Sequence, residues 1–379
     1  MRMSKQSSQR GLTLIELMVG VLIGMLTSVI VFHAFSLNER QKRVTTGTAD
    51  AQTNGALGLF MLERDLRMAG FGLEAGFLAN NCNVTYSYYD NGSGSPGPLP
   101  GMSAAAPLVI TDGGAGSDQI AVVYYADPAD NNFSIPSSID LESAMPQPSS
   151  ELKVVSTGGC KEGDLAIITE RPERRPGNCM LMQVTHVATS SRQIQHNPGG
   201  AGTADKPVYN PHNPYVVAND WPAFAARDVV SCGISKIFQR TYRVSASYQL
   251  ESQDSSSAAA VSLAPQIVSL QAQYGISDAP ISNKVTAWVE PTGTWAAATL
   301  TQDLGKRIKA VRVAVVARNS EYEKPEPGQA CATTTQAMLD QWSDWAEFAS
   351  IKTLPDWACY RYKAFETVIP LRNVLWAAF

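Results

Sequence analysis

The residues best placed to do chemistry lie at the N-terminus, where a short basic leader precedes a long apolar run. Gly11 separates the two, and Glu16 is the one acidic residue inside the apolar run. The cations of the leader are Arg2, Lys5 and Arg10. A secretory signal is cut after its apolar region, whereas the small residue here stands before that region. Cleavage next to Gly11 would therefore leave the apolar run as the N-terminus of the mature chain.

Glu16 needs an explanation because a carboxylate near the start of a membrane helix is costly and usually marks a function. The free α-amine of a newly exposed N-terminus is a natural partner, since pairing would offset the desolvation of the carboxylate. The alternative is a carboxylate that lies in the headgroup zone and has no role. The glycine placed five residues before it favours the functional interpretation.

The apolar run is long enough to cross a membrane once. No Asp, Glu, Lys or Arg occurs in residues 17–35, and a membrane-spanning helix needs about 20 apolar residues. Cations flank the run on both sides, so the positive-inside rule leaves its orientation open. The leader, together with cysteines that all follow the run, places the N-terminus in the cytoplasm and the bulk of the chain outside.

The composition is that of a globular protein. Of the 379 residues, 44% are hydrophobic, and the formal net charge is −4. Loss of residues 1–11 would remove three cations and no acid, which shifts the net charge from −4 to −7. This balance argues against broad phosphate-driven binding, and no nucleic-acid partner is predicted.

Six cysteines follow the apolar run: Cys82, Cys160, Cys179, Cys232, Cys331 and Cys359. None forms a Cys-x-x-Cys pair, so zinc and thioredoxin-like sites are poorly supported. An even number of cysteines on an exported segment instead predicts disulfides. Of the 15 possible connectivities, pairing of neighbours along the chain favours Cys331–Cys359 and Cys160–Cys179, which leaves Cys82–Cys232. The bridge Cys331–Cys359 would hold an insert, residues 332–358, that has few strand signals of its own.

The remaining motifs do not combine into a catalytic or metal site. The four histidines lack metal-ligand spacing, and there is no Gly-x-Ser-x-Gly elbow. The glycines at 92, 94 and 97 match a dinucleotide fingerprint only as a string, because no helix follows them. The arginines within 171–175 are interpreted as a solvated turn rather than an anion-binding patch. The acidic loop at 127–132 lacks the glycine and distal glutamate of an EF-hand. No enzyme activity, metal or cofactor is predicted.

A long helix must position the N-terminal residues. No proline occurs before Pro96, and four apolar residues recur at helical spacing: Leu59, Leu62, Leu66 and Ala69. A helix over residues 12–69 is predicted, about 87 Å long, with Gly70 as its stop. Its first part, residues 12–36, would span the membrane, and its second part, residues 37–70, would be amphipathic.

Residues 71–379 are predicted to form a β-rich head, so the fold class is α+β. Strand-like runs recur at 119–126, 165–169, 180–187, 237–250, 267–275, 308–318 and 360–371. Segments rich in turn residues separate them, and a short helix is predicted within 333–349. These runs belong to one head, which divides at most into two lobes.

The N-terminal residues Gly11-Leu12-Thr13-Leu14-Ile15-Glu16 resemble the class III leader of type IV prepilins and pseudopilins. The resemblance implies that a membrane-embedded prepilin peptidase removes residues 1–11 by cutting between Gly11 and Leu12. It further implies that the peptidase methylates the new N-terminus at Leu12. Glu16 would then be the acid that pairs with a neighbouring subunit during assembly.

Short pieces along the rest of the chain are similar, in order, to minor pilins of the PilW type. They are residues 64–71, 116–120, 163–165, 271–275, 308–313 and 368–375. The resemblance implies a pilin-like fold and a structural minor pilin that primes assembly of the type IV pilus. Its implied partners are other minor pilins, the major pilin and a PilY-type adhesin at the pilus tip. The protein would lie in the inner membrane before assembly and at the cell surface afterwards, serving twitching motility and adhesion.

Two alternatives remain open from the sequence. A minor pseudopilin of type II secretion shares the leader, the helix and the β-rich head, although the resemblance at residues 370–373 favours the pilus. A membrane-anchored ligand-binding protein that never polymerises is the second alternative. An uncut leader would favour the anchored protein.

Overall fold

The structure is a computed structural model that describes residues 13–71, 82–89, 106–125, 137–147, 151–171, 177–198, 209–211, 221–234, 237–255, 257, 259–325, 328–341 and 345–376. Within these ranges, one long helix is followed by β-sheets and short helical turns. The architecture is therefore α+β, with an apolar N-terminal helix and a β-rich head, as predicted.

Helix α1 (Leu14–Leu66) contains 53 residues. Thr13 is its N-cap and forms a capping box with Glu16, which satisfies backbone N–H groups that the first helical turn leaves without partners. After the last turn, Gly70 adopts a φ of 78°, a conformation that glycine reaches at little cost. The predicted helix over 12–69 is thus present, with an end three residues earlier than predicted and with residue 12 outside the described ranges.

The strands of the described residues are, in chain order, β1 (Cys82–Tyr86), β2 (Leu108–Thr111), β3 (Gln119–Tyr125), β4 (Ser137–Asp140), β5 (Leu152–Lys153), β6 (Leu165–Thr169), β7 (Gly177–Gln183), β8 (His186–Ala188), β9 (Gln193–Gln195), β10 (Val229–Ile234), β11 (Ile237–Val244), β12 (Gln249–Asp254), β13 (Val261–Pro265), β14 (Ile267–Ile276), β15 (Ala287–Val289), β16 (Ile308–Arg318) and β17 (Tyr362–Pro370). Short α-helices follow at Gln302–Gly305, Gln336–Leu339 and Arg372–Trp376. Turns of 3₁₀-helix lie at Gly293–Trp295, Ala346–Thr353 and Trp357–Cys359.

Two sheets enclose the second half of α1. One has the strand order β13-β12-β11-β3-β2, and the other has the order β15-β14-β16-β17. Their inward faces join Leu62 and Leu66 of α1, and Ala69 just after it, in one apolar core. Every residue of β14 is buried, and β16 is nearly as deep, because both faces of the sheet are covered: α1 on one side and the insert on the other.

A second lobe is inserted between two strands that are neighbours in space. Strands β3 and β11 pair in antiparallel fashion, with Ile237 opposite Tyr125, although more than a hundred residues separate them along the chain. The strands β4–β10 lie in that interval. Together with β1 they form sheets of order β1-β7-β6-β10-β4 and β5-β9-β8 around a separate apolar core. We call this unit the inserted lobe.

The disulfide pairing depends on the order of strands in the sheet rather than on the order of the cysteines along the chain. Cys160 bonds to Cys232 on β10, so the predicted pairings Cys160–Cys179 and Cys82–Cys232 are wrong. The predicted hairpin of β6 and β7 does exist. However, β6 lies between β7 and β10, and Cys160 joins the β10 side while Cys179, itself disulfide-bonded, lies opposite β1 on the other side. Cys331 bonds to Cys359, 28 residues away, as the sequence predicts.

Continuous apolar runs predict single strands correctly, whereas runs that contain a turn are wrong as single strands. Residues 165–169 and 308–318 coincide with β6 and β16. The run at 237–250 is wrong as a single strand, because it contains β11, a turn and the start of β12. In that turn the Tyr248 N–H donates to the Ser245 carbonyl at 3.0 Å, and Tyr248 adopts a φ of 59°. The run at 180–187 likewise combines parts of β7 and β8.

Several sequence predictions fall on residues outside the described ranges. These are the cleavage site at Gly11 and Leu12, the glycines at 92, 94 and 97, the acidic loop at 127–132, and Arg174, Arg175 and Trp342. The helix predicted within 333–349 corresponds to the single turn Gln336–Leu339 and to the 3₁₀ segment that begins at Ala346.

Candidate functional site

The first half of α1 is an exposed apolar rod. Residues Leu14–Ser36 have a mean hydropathy of 2.4, and none of their side chains is buried within the chain. Gly20 and Gly24 have no neighbouring atoms within 4 Å at the position of an added Cβ. By length and composition this segment can cross a membrane, and by its exposure it can also pack against other helices.

Glu16 lies in the first turn of this rod and is held by Thr13. Its Oε2 accepts hydrogen bonds from the Thr13 backbone N–H and from the Thr13 hydroxyl, each at 2.9 Å. In return the Glu16 N–H donates to Thr13 Oγ1 at 3.4 Å. The carboxylate is thereby fixed beside the helix N-terminus, where a negative charge is stabilised by the helix dipole. An incoming cation would meet a pre-positioned anion at this end of α1.

The second half of α1 enters the head through its small residues. A Cβ at Gly55 would overlap the Phe365 ring of β17, and one at Gly58 would lie 3.2 Å from Leu250 and 3.4 Å from the Ala264 Cβ. Glycine inside a helix weakens it in general, because the flexible backbone loses more entropy on folding. The structure gives these two glycines a second role, because they let the sheets approach the helix axis closely.

Filling the space at Gly55 is expected to weaken the attachment of α1 to the head. Gly55→Val should lower the free energy of unfolding of the head by about 1–3 kcal/mol, since the new side chain must displace the Phe365 ring. Chemical denaturation of the purified chain gives the value. Ala56→Val is the matched control, because Ala56 is exposed on the same helical turn. Equal effects of the two substitutions would contradict the packing role of Gly55.

A buried carboxylate, Asp65, joins the end of α1 to β11. Its side chain is 9% exposed and forms an ion pair with Arg240, with Nη1 and Oδ2 at 2.8 Å. Tyr242 donates its hydroxyl to the same Oδ2, and Arg64 Nε lies 2.9 Å from Oδ1. Burial alone would raise the pKa of Asp65, but hydrogen bonds from Tyr242, Arg240 and Arg64 together hold that pKa below its ordinary value. Asp65 therefore stays ionised inside the core.

The C-terminal end of the chain closes over the end of α1. The Asn373 side-chain amide donates to the Ala69 carbonyl at 3.0 Å, and the Gly70 N–H donates to the Val123 carbonyl at 2.9 Å. Backbone groups that the helix leaves without partners are thus satisfied by the head. The carboxylates at Glu16 and Asp65 remain far apart, about 74 Å along a helix that rises 1.5 Å per residue.

The described residues contain no group of three or more His, Cys, Asp or Glu side chains that could hold a metal ion. Among the candidates from the sequence, Glu16 stands at the exposed N-terminus of α1, and the described cysteines lie in disulfides of the head. The structure does not bring these two sets together. The candidate functional site is therefore helix α1, with the Glu16 carboxylate at its N-terminus and the Asp65–Arg240 ion pair where it meets the head.

Comparison of the chain with known protein families gives two matches. Residues 6–32, which include Gly11, Leu12 and Glu16, match the prokaryotic N-terminal methylation motif. Residues 227–373, which include β11–β17 and the joint to α1, match the family described as type IV pilus-assembly protein W, PilW. Over these two stretches the chain is similar to PilW-family minor pilins of the type IV pilus and to prepilin leaders, and that family consists of structural proteins rather than enzymes.

The search of solved structures matches a type IV-like pilin from Thermus thermophilus. The match covers 86% of this chain and 98% of that one, with 8% sequence identity and a TM-score of 0.31. No curated protein matches at a significant level.

Most of the inserted lobe lies outside the stretch that matches the PilW family. The match begins at residue 227, just before β10, while β4–β9 precede it. The matched stretch holds the strands β13, β14, β16 and β17, which contact α1. The similarity to the PilW family therefore covers the strands that hold α1, whereas β4–β9 lie outside it.

Two of the pieces that resemble PilW-type minor pilins meet at a buried aspartate, Asp118. It is 2% exposed, and its carboxylate accepts from the Gly113 N–H at 2.9 Å and the Ala272 N–H at 2.8 Å. Its own N–H donates to the Leu270 carbonyl at 2.8 Å. The start of β3 is thus fastened to the edge of β14, which links the two sheets that hold α1. No sequence pattern singled out Asp65 or Asp118; only their place in the PilW-like pieces marked them.

Asp118 is expected to make the head less stable as the pH rises from about 4 to about 6. Burial raises the pKa of Asp118 to about 6, against the opposing effect of its two amide donors. Between those pH values the folded state keeps the proton that the unfolded state releases, so raising the pH favours unfolding by at most about 3 kcal/mol.

Denaturation at several pH values checks this expectation. Across that pH window the wild type should lose free energy of unfolding relative to Asp118→Asn, because the asparagine of the variant does not titrate. Asp278→Asn, at an exposed position of the same head, is the control and should show no such shift. A constant difference between wild type and Asp118→Asn from pH 4 to pH 7 would contradict the role of Asp118.

Proposed function

We propose that this chain is a structural minor pilin that primes assembly of the type IV pilus and becomes part of the tip complex. The observation that carries the proposal is the division of α1: an exposed apolar half with Glu16 at its start, and a half buried in the head. In such a subunit the apolar half of α1 can lie in the membrane before assembly and pack against the helices of other subunits afterwards. The head need not refold for this change.

Processing is the first step of the proposed pathway. The prepilin peptidase would remove residues 1–11 by cutting between Gly11 and Leu12, and would methylate Leu12. The motif match over residues 6–32 supports this step. Thr13, the N-cap of α1, directly follows Leu12 in the sequence. The new α-amine would therefore stand four residues before Glu16 along the chain, and each group could face a neighbouring subunit.

The proposed location follows from the same helix. Before assembly, the segment Leu14–Ser36 crosses the inner membrane once, with the N-terminus in the cytoplasm and the head in the periplasm. The disulfides Cys160–Cys232 and Cys331–Cys359 agree with an oxidising compartment for the head. After assembly the protein would lie at the pilus tip, where other minor pilins, the major pilin and a PilY-type adhesin are its proposed partners.

Mass spectrometry of the mature N-terminus is expected to find methylated Leu12 as the first residue. The physical reason is that only removal of the basic leader lets the apolar N-terminus of α1 move from the membrane into a fibre. A mature protein that still begins with residues 1–11 would contradict the proposal and favour a membrane-anchored protein that is not polymerised.

Isolation of the chain from membranes with its partners tests the function itself. We expect other minor pilins to co-purify, and we expect antibodies against the head to label pilus tips. Recovery with components of a type II secretion channel instead would identify a minor pseudopilin. Loss of the chain should reduce the number of pili, and an unchanged number would count against a priming role.

A further inference from the structure

The contacts of α1 define two ends of the head. Where the helix enters from its apolar half, Gly47 lies against Asn319, whose Nδ2 is 3.1 Å from the position of an added Cβ. About 30 Å further along the helix, just after its last turn, the Gly70 N–H donates to the Val123 carbonyl at 2.9 Å. We call the end at Asn319 the membrane end of the head and the end at Val123 the far end.

Strand β11 runs antiparallel to α1 and therefore begins at the far end. Its last residue, Val244, pairs with Leu250, which lies 3.2 Å from the Cβ position of Gly58. Closer to the start of the strand, Arg240 contacts Asp65, about two helical turns further along α1. The residues of β11 that precede Arg240 lie further still from the membrane end.

The inserted lobe is attached to the head at this far end. Tyr125, the last residue of β3, lies opposite Ile237, the first residue of β11, so the chain leaves the core sheets and returns to them at one place. Within the described ranges, no strand of the lobe pairs with a strand of the two sheets around α1. Burial raises the pKa of Tyr209 in the lobe to about 12, and the nearby charge of Asp254 adds to this. Asp254 pairs with Arg240 across the sheet, so this approach of the lobe to β12 also lies at the far end.

The sides of the head remain open, so the lobe does not fold back along them. On α1, Leu57 and Phe60 are 40% and 63% exposed, and Val368 on β17 is 48% exposed. The Arg243 side chain on β11 is 43% exposed. These side chains belong to α1 and to both sheets around it. The lobe therefore stands beyond the end of α1, on the side of the head away from the membrane half.

The lobe is large enough to fill the space ahead of the head. The stretch between Tyr125 and Ile237 holds more than a hundred residues, and a folded unit of that size has a radius of gyration of about 13 Å. If Glu16 pairs with the α-amine of a neighbouring subunit, successive subunits are displaced by about 6 Å along the fibre axis. Heads in a shaft then overlap in height, and the space ahead of each head is taken by heads that were added a few subunits earlier. A lobe in that space excludes those heads.

We propose that the inserted lobe keeps this chain out of the shaft of the fibre and confines it to the end that leaves the membrane first. The lobe occupies the place of a pilin head ahead of it, whereas the membrane end and the sides stay free for subunits that are added later. This proposal rests on the proposed function. It gives a role to the lobe, most of which lies outside the stretch that is similar to the PilW family.

The strand register shows how to build a variant without the lobe. Because Tyr125 and Ile237 are directly opposite, Asn-Gly placed between them closes β3 and β11 as a hairpin with a two-residue turn. Strand β1 belongs to the lobe, so a Gly-Ser linker replaces residues 72–105. This linker can be short, because the Cβ position of Gly70 lies 3.3 Å from Pro107. All four cysteines of the lobe are removed with these segments, and circular dichroism of the purified variant shows whether the head still folds.

Immunogold labelling of pili from cells that produce the chain in excess is the first measurement. Wild type should label only the ends of fibres. The variant without the lobe should also label the shaft, with at least tenfold more label per length of fibre than wild type. The same variant with Glu16→Gln is the matched control and should not enter the shaft, because it lacks the charge that docks it to a neighbour.

A second measurement keeps the full-length chain. The described cysteines are all disulfide-bonded, so a single added cysteine can be cross-linked selectively. Ser190→Cys places it on the exposed turn between β8 and β9 in the lobe, and Ser320→Cys places it on the exposed surface at the membrane end. In isolated pili, Ser320→Cys should cross-link to other pilins, whereas Ser190→Cys should not cross-link to the major pilin.

Several results would overturn the proposal. Full-length chain labelled along the shaft, or Ser190→Cys cross-linked to the major pilin, contradicts the role of the lobe and leaves the proposed function intact. A folded variant without the lobe that still labels only fibre ends does the same. If that variant does not fold, the cross-links of the full-length chain decide. Absence of the wild-type chain from pili contradicts the proposed function, and the role of the lobe fails with it.

Discussion

Glu16→Ala is expected to leave removal of the leader intact and to prevent the mature chain from entering the pilus complex. The cut depends on Gly11, so the length of the mature protein should not change. Incorporation should fall because the substitution leaves the partner's cationic group unpaired in an apolar environment. Breaking a buried pair in this way costs about 3–5 kcal/mol, which corresponds to a loss of about a hundredfold or more in the equilibrium constant.

Glu16 has two roles that substitutions can separate. Its carboxylate would pair with a neighbouring subunit, but it also closes the capping box with Thr13. Glu16→Gln keeps a capping side chain and removes the charge, whereas Thr13→Ala removes the hydroxyl cap and keeps the charge. We expect Glu16→Gln to assemble as poorly as Glu16→Ala, and Thr13→Ala to assemble almost normally.

Co-purification of the minor pilins from membranes measures these effects, with immunoblots of the mature chain as the control for processing. Normal recovery of Glu16→Gln would show that capping is what Glu16 provides. Normal recovery of Glu16→Ala, together with normal numbers of pili, would remove the residue from the assembly mechanism.

Loss of the Cys331–Cys359 bridge is expected to release the insert between these residues from the outer face of the β14–β17 sheet. The bridge closes a loop across a sequence separation of 28. In the chain-entropy model a loop of that length contributes about 3–4 kcal/mol. The double variant Cys331→Ser/Cys359→Ser should lose about this much free energy of unfolding.

The contacts of the insert explain why the whole sheet should be affected. Trp345, Phe348 and Ile351 pack with Val316 and its neighbours in a separate apolar cluster on that face. Glu366 of β17 accepts from Trp345 Nε1 at 3.0 Å and from Arg312 Nε at 2.5 Å. If the insert detaches from the sheet, the contacts of Trp345, Phe348 and Ile351 are lost. Unfolding of the insert should therefore also expose β16 and β17.

Unfolding by denaturant, with and without reductant, measures the effect. Reductant should destabilise the wild type more than the double serine variant, in which the bridges left to break lie elsewhere in the head. A matched double variant, Cys160→Ser/Cys232→Ser, removes a bridge in the inserted lobe. It should leave residues 332–358 in contact with the β14–β17 sheet. Equal stability of wild type and Cys331→Ser/Cys359→Ser would show that packing holds the insert without the bridge.

The sequence by itself determined the features that depend on local order. The uncharged run after Glu16, the apolar residues at helical spacing and the absence of proline predict α1, because helix formation depends on neighbours three and four residues apart. Strands β6 and β16 are visible as uninterrupted apolar runs. The Cys331–Cys359 bridge was predictable because its partners flank a single insert that has few strand signals of its own.

Only the tertiary structure decided which distant segments meet. Asp65 finds Arg240 at a separation of 175 residues, and Asp118 finds Ala272 at a separation of 154. Cys160 pairs with Cys232 rather than with the nearer Cys179, because the order of strands in the sheet places β10 on the side of β6 that Cys160 reaches. The periodicity of a sequence carries the secondary structure, whereas the order of strands in a sheet arises from packing across the whole core, and no local pattern records it.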